Sequence, residues 1–236
     1  MIARFEELDW QQTPIGELTL RRRFEPAVNQ EIYEVKLGDE YLMSSLFTVA
    51  EEALADLGLA AVAAEKIDVL VGGLGLGYTA VAALRDPRVT SLTVIDRLEA
   101  VIGWHERMLL PAASDLVSDA RTRLVCEDFF AVMRAAPVPD HAGYDAILLD
   151  VDHSPRHQLD PTHADLYTVN GLRALDRHLR PGGVFALWSD DPPDEEFMVK
   201  MRAVFDDCAA HIVDFDNPVT GGTSSNTVFV GVTRKR

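Results

Sequence analysis

The apolar run IDVLV at residues 67–71 leads directly into the glycine-rich run GGLGLG at residues 72–77. Glycines in such a turn adopt positive φ and let a ligand approach the backbone with no Cβ in the way. A helix starting near Tyr78 would add its free N–H groups. Asp96 closes the next apolar run, SLTVID, 21 residues after Gly75. At that distance in a strand–helix–strand unit a carboxylate can accept hydrogen bonds from ribose hydroxyls. Gly73, Gly75, Gly77 and Asp96 together therefore point to an adenosine-bearing cofactor. Further polar residues close the later apolar runs: Glu127 and Asp128, then Asp150, Asp152 and His153, then Ser189, Asp190 and Asp191. One acid at a strand end is explained as a turn or helix cap. Five successive strand ends suited to one adenosine-shaped ligand point to a site.

These residues need an α/β scaffold to bring them together, and the hydrophobic pattern provides one. Strands are expected at about 67–72, 91–96, 122–126, 144–150, 184–189, 210–216 and 227–233, with helices at about 78–85, 97–109, 129–135, 163–179 and 193–207. Such alternation predicts a mostly parallel sheet covered on both faces. Pro181, Gly182 and Gly183 are read as the stop of the long fourth helix. Upstream, residues 14–44 alternate as a small β region with a turn at Gly38-Asp39, and residues 46–64 form an amphipathic helix leading to the first core strand. The division expected is an N-terminal β-strand region, 1–48, followed by a catalytic α/β unit, 49–236. Arg21, Arg22 and Arg23 read as a solvated strand edge.

Composition narrows the partners. With 22 basic and 38 acidic residues the formal charge is −16, which repels nucleic acid and anionic lipid and attracts a cation. The plainer account of that charge is solubility alone. No apolar run approaches the ~20 residues of a membrane span, and the first ten residues lack the apolar core of a signal peptide, so neither a membrane nor a nucleic-acid partner is expected and the location expected is cytoplasmic. Cys126, placed in a buried strand, and Cys208 have no CxxC spacing and read as reduced thiols. His153, His157 and His163 share a Pro-containing loop without a helical scaffold, so no metal is expected, and the loop reads instead as a lid.

About ten residues, NPVTGGTSSN, separate the last two strands, too few for a helical crossover. The final strand should therefore pair antiparallel. A seven-stranded, mostly parallel sheet with an antiparallel last strand resembles the Rossmann-like S-adenosylmethionine-dependent methyltransferase fold. The dinucleotide pattern G-x-G-x-x-G disagrees, since counting from Gly73 and Gly75 it would need glycine at Tyr78.

The ordered segments VLVGGLGLGYTAVAAL, LTVIDRLEAVIGWHERML, RTRLVCEDFFAVM and YDAILLDVDHSP resemble the spermidine synthase family of polyamine aminopropyltransferases. The resemblance implies decarboxylated S-adenosylmethionine as co-substrate, a cationic amine as acceptor, and a homodimer. It assigns the ribose to Asp96, the adenine edge to Glu127 and Asp128, and the amine and sulfonium carbon to the loop after Asp150. Two departures stand out. The family's glycine loop usually reads GGGDGG, whereas residues 72–77 contain no acid. Its catalytic loop usually reads D-S-S/T-D-P, whereas residues 150–155 read DVDHSP, with His153 in the register of the second aspartate.

Transfer from a sulfonium is a displacement at carbon, and the protein must align the partners and take a proton from an ammonium nucleophile. Asp152 or His153 could take it, with Asp150 orienting the nucleophile. Imidazole titrates nearer neutrality, while a carboxylate attracts the cation better. The acids in SDDPPDEE read either as an anionic wall or as a charged first turn of a helix, and Trp104 and Trp188 as stacking partners or as packing. The leading expectation is aminopropyl transfer to a polyamine-type amine. The alternatives are a methyltransferase using intact S-adenosylmethionine and a non-catalytic nucleotide-binding protein, and an NAD-linked oxidoreductase is disfavoured.

Overall fold

The computed structural model describes residues 5–138 and 142–234. Strands β1 (Phe5–Thr13), β2 (Gly16–Glu25), β3 (Gln30–Leu37) and β4 (Glu40–Ser44) form a sequentially ordered antiparallel sheet. One face of it buries Leu18, Leu20 and Val35 against the larger α/β unit. That unit holds seven strands: β5 (Ile67–Gly72), β6 (Val89–Asp96), β7 (Thr122–Cys126), β8 (Tyr144–Leu149), β9 (Leu179–Ser189), β10 (Asp207–Asn217) and β11 (Gly222–Val232). Their order is β10-β11-β9-β8-β5-β6-β7, parallel except for β11, which runs antiparallel to both β9 and β10.

Helices α1 (Val49–Ala60), α2 (Tyr78–Arg85), α3 (Glu99–Glu106) and α4 (Ala113–Val117) feed the same core as Leu18, Leu20 and Val35. Helices α5 (Phe129–Arg134), α6 (Val169–Asp176) and α7 (Glu195–Arg202) feed a second core. Alternation along the central strands feeds two cores. Val69, Val71, Ala146 and Leu148 enter one, and Leu70, Ile147 and Leu149 the other. Burying each such Leu or Ile contributes roughly 1.5–3 kcal/mol. Because the chain leaves β5 toward β6 and β7 and then returns to β8 on β5's other side, a crevice opens at the carboxyl ends of β5 and β8.

The structure corrects several boundaries. The expected helix over 97–109 ends at Glu106, where Met108 at φ 57 breaks the spiral before α4. The expected helix over 163–179 is a 3₁₀ turn at Pro161–His163 followed by α6. Pro181, Gly182 and Gly183 stop no helix, because α6 has already ended at Asp176. They form a bulge within β9, where the pairing jumps from Tyr144↔Leu179 to Ala146↔Val184. A bulge tolerates a proline that has no N–H to give to the ladder. β1 was not expected. It pairs along β2, which makes β2 an interior strand, and Arg21, Arg22 and Arg23 are matched by Glu34, by Glu6 and Glu31, and by Glu25 and Glu34 respectively. Cys126 is exposed rather than buried because β7 is an edge strand. The antiparallel last strand is as expected, although its hairpin is tighter, with only residues 218–221 between β10 and β11. Among the described residues no helix is long and apolar enough to cross a membrane.

Candidate active site

The glycine turn draws three strand tips together. Gly73 N donates to Ile95 O at 2.9 Å and Asp150 N donates to Gly72 O at 2.8 Å, so the ends of β5, β6 and β8 converge. Gly73 stands at φ 92, and a Cβ there would lie 2.0 Å from the Asp150 carbonyl oxygen. Gly77, at φ 94, starts α2, and a Cβ on it would meet His105 Cε1 and Leu116 at 2.8 Å. His105 is fully buried, and its Nε2 lies 2.9 Å from Gly75 O, a contact that requires the proton on Nε2. Burial lowers its pKa, which keeps the ring neutral.

Asp96 is tied into this turn. Its Oδ2 accepts from Leu74 N at 2.9 Å and its Oδ1 from Leu98 N at 2.8 Å. Desolvation raises its pKa against the lowering effect of these amides. Each carboxylate oxygen can accept a second hydrogen bond, and Asp96 lines the crevice beside Gly73 and Gly75. The roof comes from the N-terminal sheet. Met43 of β4 reaches down to Gly75, with Sδ 3.2 Å from Leu76 N. At the far wall Asp128 caps α5, its Oδ1 accepting from Phe130 N at 2.9 Å and Ala131 N at 3.1 Å, and it faces the same crevice. Its neighbour Glu127 does not. That side chain is exposed and borders a separate cavity with Thr93, Val132 and Tyr144. Both follow the end of β7, where Glu127 stays in the exposed bend and Asp128 turns in to cap α5, so the two acids part company.

A second chamber continues past the glycine turn, lined by Glu51, Tyr78, Asp150, His153 and Trp188 and sharing Met43 with the first. Asp150 Oδ2 accepts from Thr79 Oγ1 at 2.7 Å. Burial raises the Asp150 pKa to about 6 against the Thr79 hydrogen bond. Burial and then the neighbouring Asp150 charge raise Glu51 to about 8. The sequence reading did not single out Glu51. Its signal was available: Glu51 stands three, four and seven residues before Leu54, Ala55 and Gly58, all buried, so it occupies the apolar stripe of α1. Glu52, beside it, pairs with Arg85.

The loop after β8 separates the two residues proposed from sequence as alternative proton acceptors. Asp152 is 1 % exposed and accepts from Leu159 N and His163 Nδ1, both at 2.8 Å, and from Tyr167 Oη at 2.7 Å. His163 in turn stacks on Phe130 with ring centroids 3.6 Å apart. Asp152 thus fastens the loop to the turn leading into α6 and, through His163, to α5, and it lines neither chamber. His153 stands at the rim of the second chamber, with Nε2 2.8 Å from Glu40 Oε1. The loop's three histidines have different partners, His157 facing Asp191 at 3.4 Å, and no cluster able to hold a metal occurs among the described residues.

The acids of SDDPPDEE are structural ties. Asp194 caps α7 and pairs with Arg156, and Asp190 accepts from Asn226. Trp104 is fully buried behind the first chamber with its Nε1 donating to Asp9 at 2.6 Å, and Trp188 borders the second.

Comparison with known proteins agrees with this geometry. Over residues 48–216 the chain matches the spermine/spermidine synthase domain. It is 29% identical over 124 residues to a polyamine aminopropyltransferase of Mycobacterium tuberculosis, covering 52% of this chain and 23% of that protein. It is 31% identical over 160 residues to putrescine N-methyltransferase 3 of Nicotiana tabacum, covering 65% of this chain and 39% of that one. The chain therefore spans well under half the length of these curated relatives. Among solved structures, spermidine synthase from Thermotoga maritima superposes with a TM-score of 0.73 at 18% identity, covering 98% of this chain and 74% of that one, which is a likeness of fold. A spermidine synthase solved with the transition-state analogue AdoDATO gives 0.72 at 17% identity, covering 98% and 73%. With a family domain matched across most of its length and that family's fold reproduced around its crevice, the chain belongs to the spermine/spermidine synthase family.

Proposed function

We propose that this chain transfers an aminopropyl group from decarboxylated S-adenosylmethionine to a polyamine-type amine. The observation that carries this reading is the second chamber. Two neighbouring carboxylates, Glu51 and Asp150, adjoin the glycine turn, and no Lys or Arg is among its lining residues. An ammonium is favoured there, whereas the carboxylate of an intact methionine tail would face two acids without a cationic partner. In this reading the glycine turn and Asp96 hold the nucleoside's ribose and Asp128 accepts from its base.

Asp150, at the tip of β8 and facing both chambers, takes the proton from the acceptor ammonium. A carboxyl with a raised pKa is better matched to that task than an ordinary one. The freed amine lone pair then attacks the carbon attached to the sulfonium. The C–S bond electrons stay on sulfur, leaving neutral methylthioadenosine, and the new C–N bond carries the positive charge to the product ammonium. Asp152 holds the loop in place rather than taking the proton, and His153 guards the rim.

A methyl transfer from intact S-adenosylmethionine is the second reading, favoured by similarity to the tobacco putrescine N-methyltransferase. Incubating the protein with putrescine and each donor in turn separates the two. Methylthioadenosine formed from the decarboxylated donor is expected. S-adenosylhomocysteine from the intact donor would replace the proposal with methyl transfer, and nucleoside binding without either product would leave a non-catalytic binding protein.

A further inference from the structure

The second chamber contains a residue to which neither the sequence reading nor the family comparison gives a task. Glu51 is set on the buried stripe of α1, against the tip of β8 and the start of α2. The charged and titratable groups around it offer it no cation. Glu52, on the same helix, is engaged with Arg85, Tyr78 comes from α2, Asp150 from the end of β8, and His153 is drawn toward Glu40.

The Thr79 hydroxyl ties the Asp150 carboxyl to the backbone of α1, 2.7 Å from Asp150 Oδ2 and 3.2 Å from the main-chain oxygen of Glu51. A hydroxyl has one proton to donate. It goes to Asp150 by the shorter contact, and a neutral donor brings no positive charge to the pair. Glu51 and Asp150 line the same chamber, each feels the other's charge, and with no Lys or Arg among the lining residues the two cannot both remain ionised at low cost. The missing positive charge must come from a proton in the free protein and from the ligand in the complex.

We propose that Glu51 is a positioning residue for the amine, sharing one proton with Asp150 in the free protein and giving it up when a primary ammonium enters the chamber. The inference rests on the aminopropyl-transfer reading and specifies how that site recognises charge. Once the proton has left to solvent, the doubly ionised pair binds the ammonium. Where that ammonium belongs to the acceptor, Asp150 then takes its proton and the freed lone pair attacks the carbon on sulfur, so the charge balances at each step; where it belongs to the donor's tail, the pair holds it as an ammonium throughout.

Proton release on binding is read without turnover, by calorimetry in buffers of different ionisation enthalpy at pH 7. Putrescine is titrated into protein saturated with methylthioadenosine, which tests an acceptor ammonium. Decarboxylated S-adenosylmethionine is titrated alone, which tests the ammonium of the donor's tail. Release of about one proton per amine is expected in at least one arm. It should fall to under about a third of that in Glu51→Gln and be partly restored in Glu51→Asp, while methylthioadenosine binding, which reports the fold, stays unchanged. Binding without proton release, or release unchanged in Glu51→Gln, overturns this role for Glu51 and leaves aminopropyl transfer standing. Failure of both amines to bind overturns the amine reading of the chamber and this inference with it.

Discussion

Replacing Asp152 separates architecture from chemistry in the loop after β8. Its carboxylate takes three donors, Leu159 N, His163 Nδ1 and Tyr167 Oη, all at 2.7–2.8 Å in a site that is 1 % exposed. Asp152→Ala would strand these donors, each at a cost of roughly 1–3 kcal/mol, partly recovered if water enters. A net destabilisation of about 3–5 kcal/mol follows, and for a chain of this size that lowers the melting temperature by roughly 6–20 °C. Asp152→Asn should be milder. Its remaining oxygen can keep Leu159 N and His163, and its amide can donate to Tyr167 Oη, so the loss should be about 1–2 kcal/mol.

Turnover should follow the same order, because the loop carries Leu159, Asp160 and His163 to the crevice wall. Differential scanning fluorimetry alongside initial rates on the Ala and Asn variants tests this. Asp150→Asn is the counter-case, expected to lose about 10²- to 10⁴-fold in rate with its melting temperature held or raised. The reasoning is refuted if Asp152→Asn melts within a degree or so of the parent yet loses activity to the same extent as Asp150→Asn. That pattern would make Asp152 the proton acceptor.

Gly73→Ala should cost about 3–5 kcal/mol in thermal or urea unfolding, because its Cβ would lie 2.0 Å from the Asp150 carbonyl at φ 92. Gly38→Ala, at φ 58 in open space, should cost only about 1 kcal/mol, and equal losses would show that the strand tips are free to separate. Both acids of the second chamber have pKa values raised above those of the unfolded chain, so their contribution is intact below about pH 4 and is lost as pH rises through about 6 and 8. Glu51→Gln should therefore stabilise the ligand-free protein by roughly 1–3 kcal/mol at pH 8.5 and by little at pH 5, after discounting for Glu51's residual solvent contact. Melting curves at the two pH values that show the same difference would refute a raised Glu51 pKa.

Much of the crevice was legible before any coordinates. Strand periodicity, the glycine run at 72–77 and Asp96 are local signals, and chain connectivity alone forced β11 to return antiparallel. Local signals did not report which neighbour a side chain would meet. Asp152 and His153 are adjacent in sequence, yet one is consumed by Leu159, His163 and Tyr167 while the other reaches Glu40 on the N-terminal sheet. Glu127 and Asp128 likewise diverge because Asp128 turns inward to cap α5 while Glu127 stays in the exposed bend before it. β1 carries too many polar residues to read as a strand and is held by its cross-strand partners on β2.

The sequence by itself determined the alternation of elements, the glycine bend and the carboxylate that follows it, because each is written in residue types a few positions apart. Only the tertiary structure decided that Glu51 of α1 stands beside Asp150 at the end of β8 and that Met43 covers Gly75. Those contacts join segments far apart in the chain. Their energies depend on burial and neighbouring charge, which exist only once the two sheets and their helices have packed.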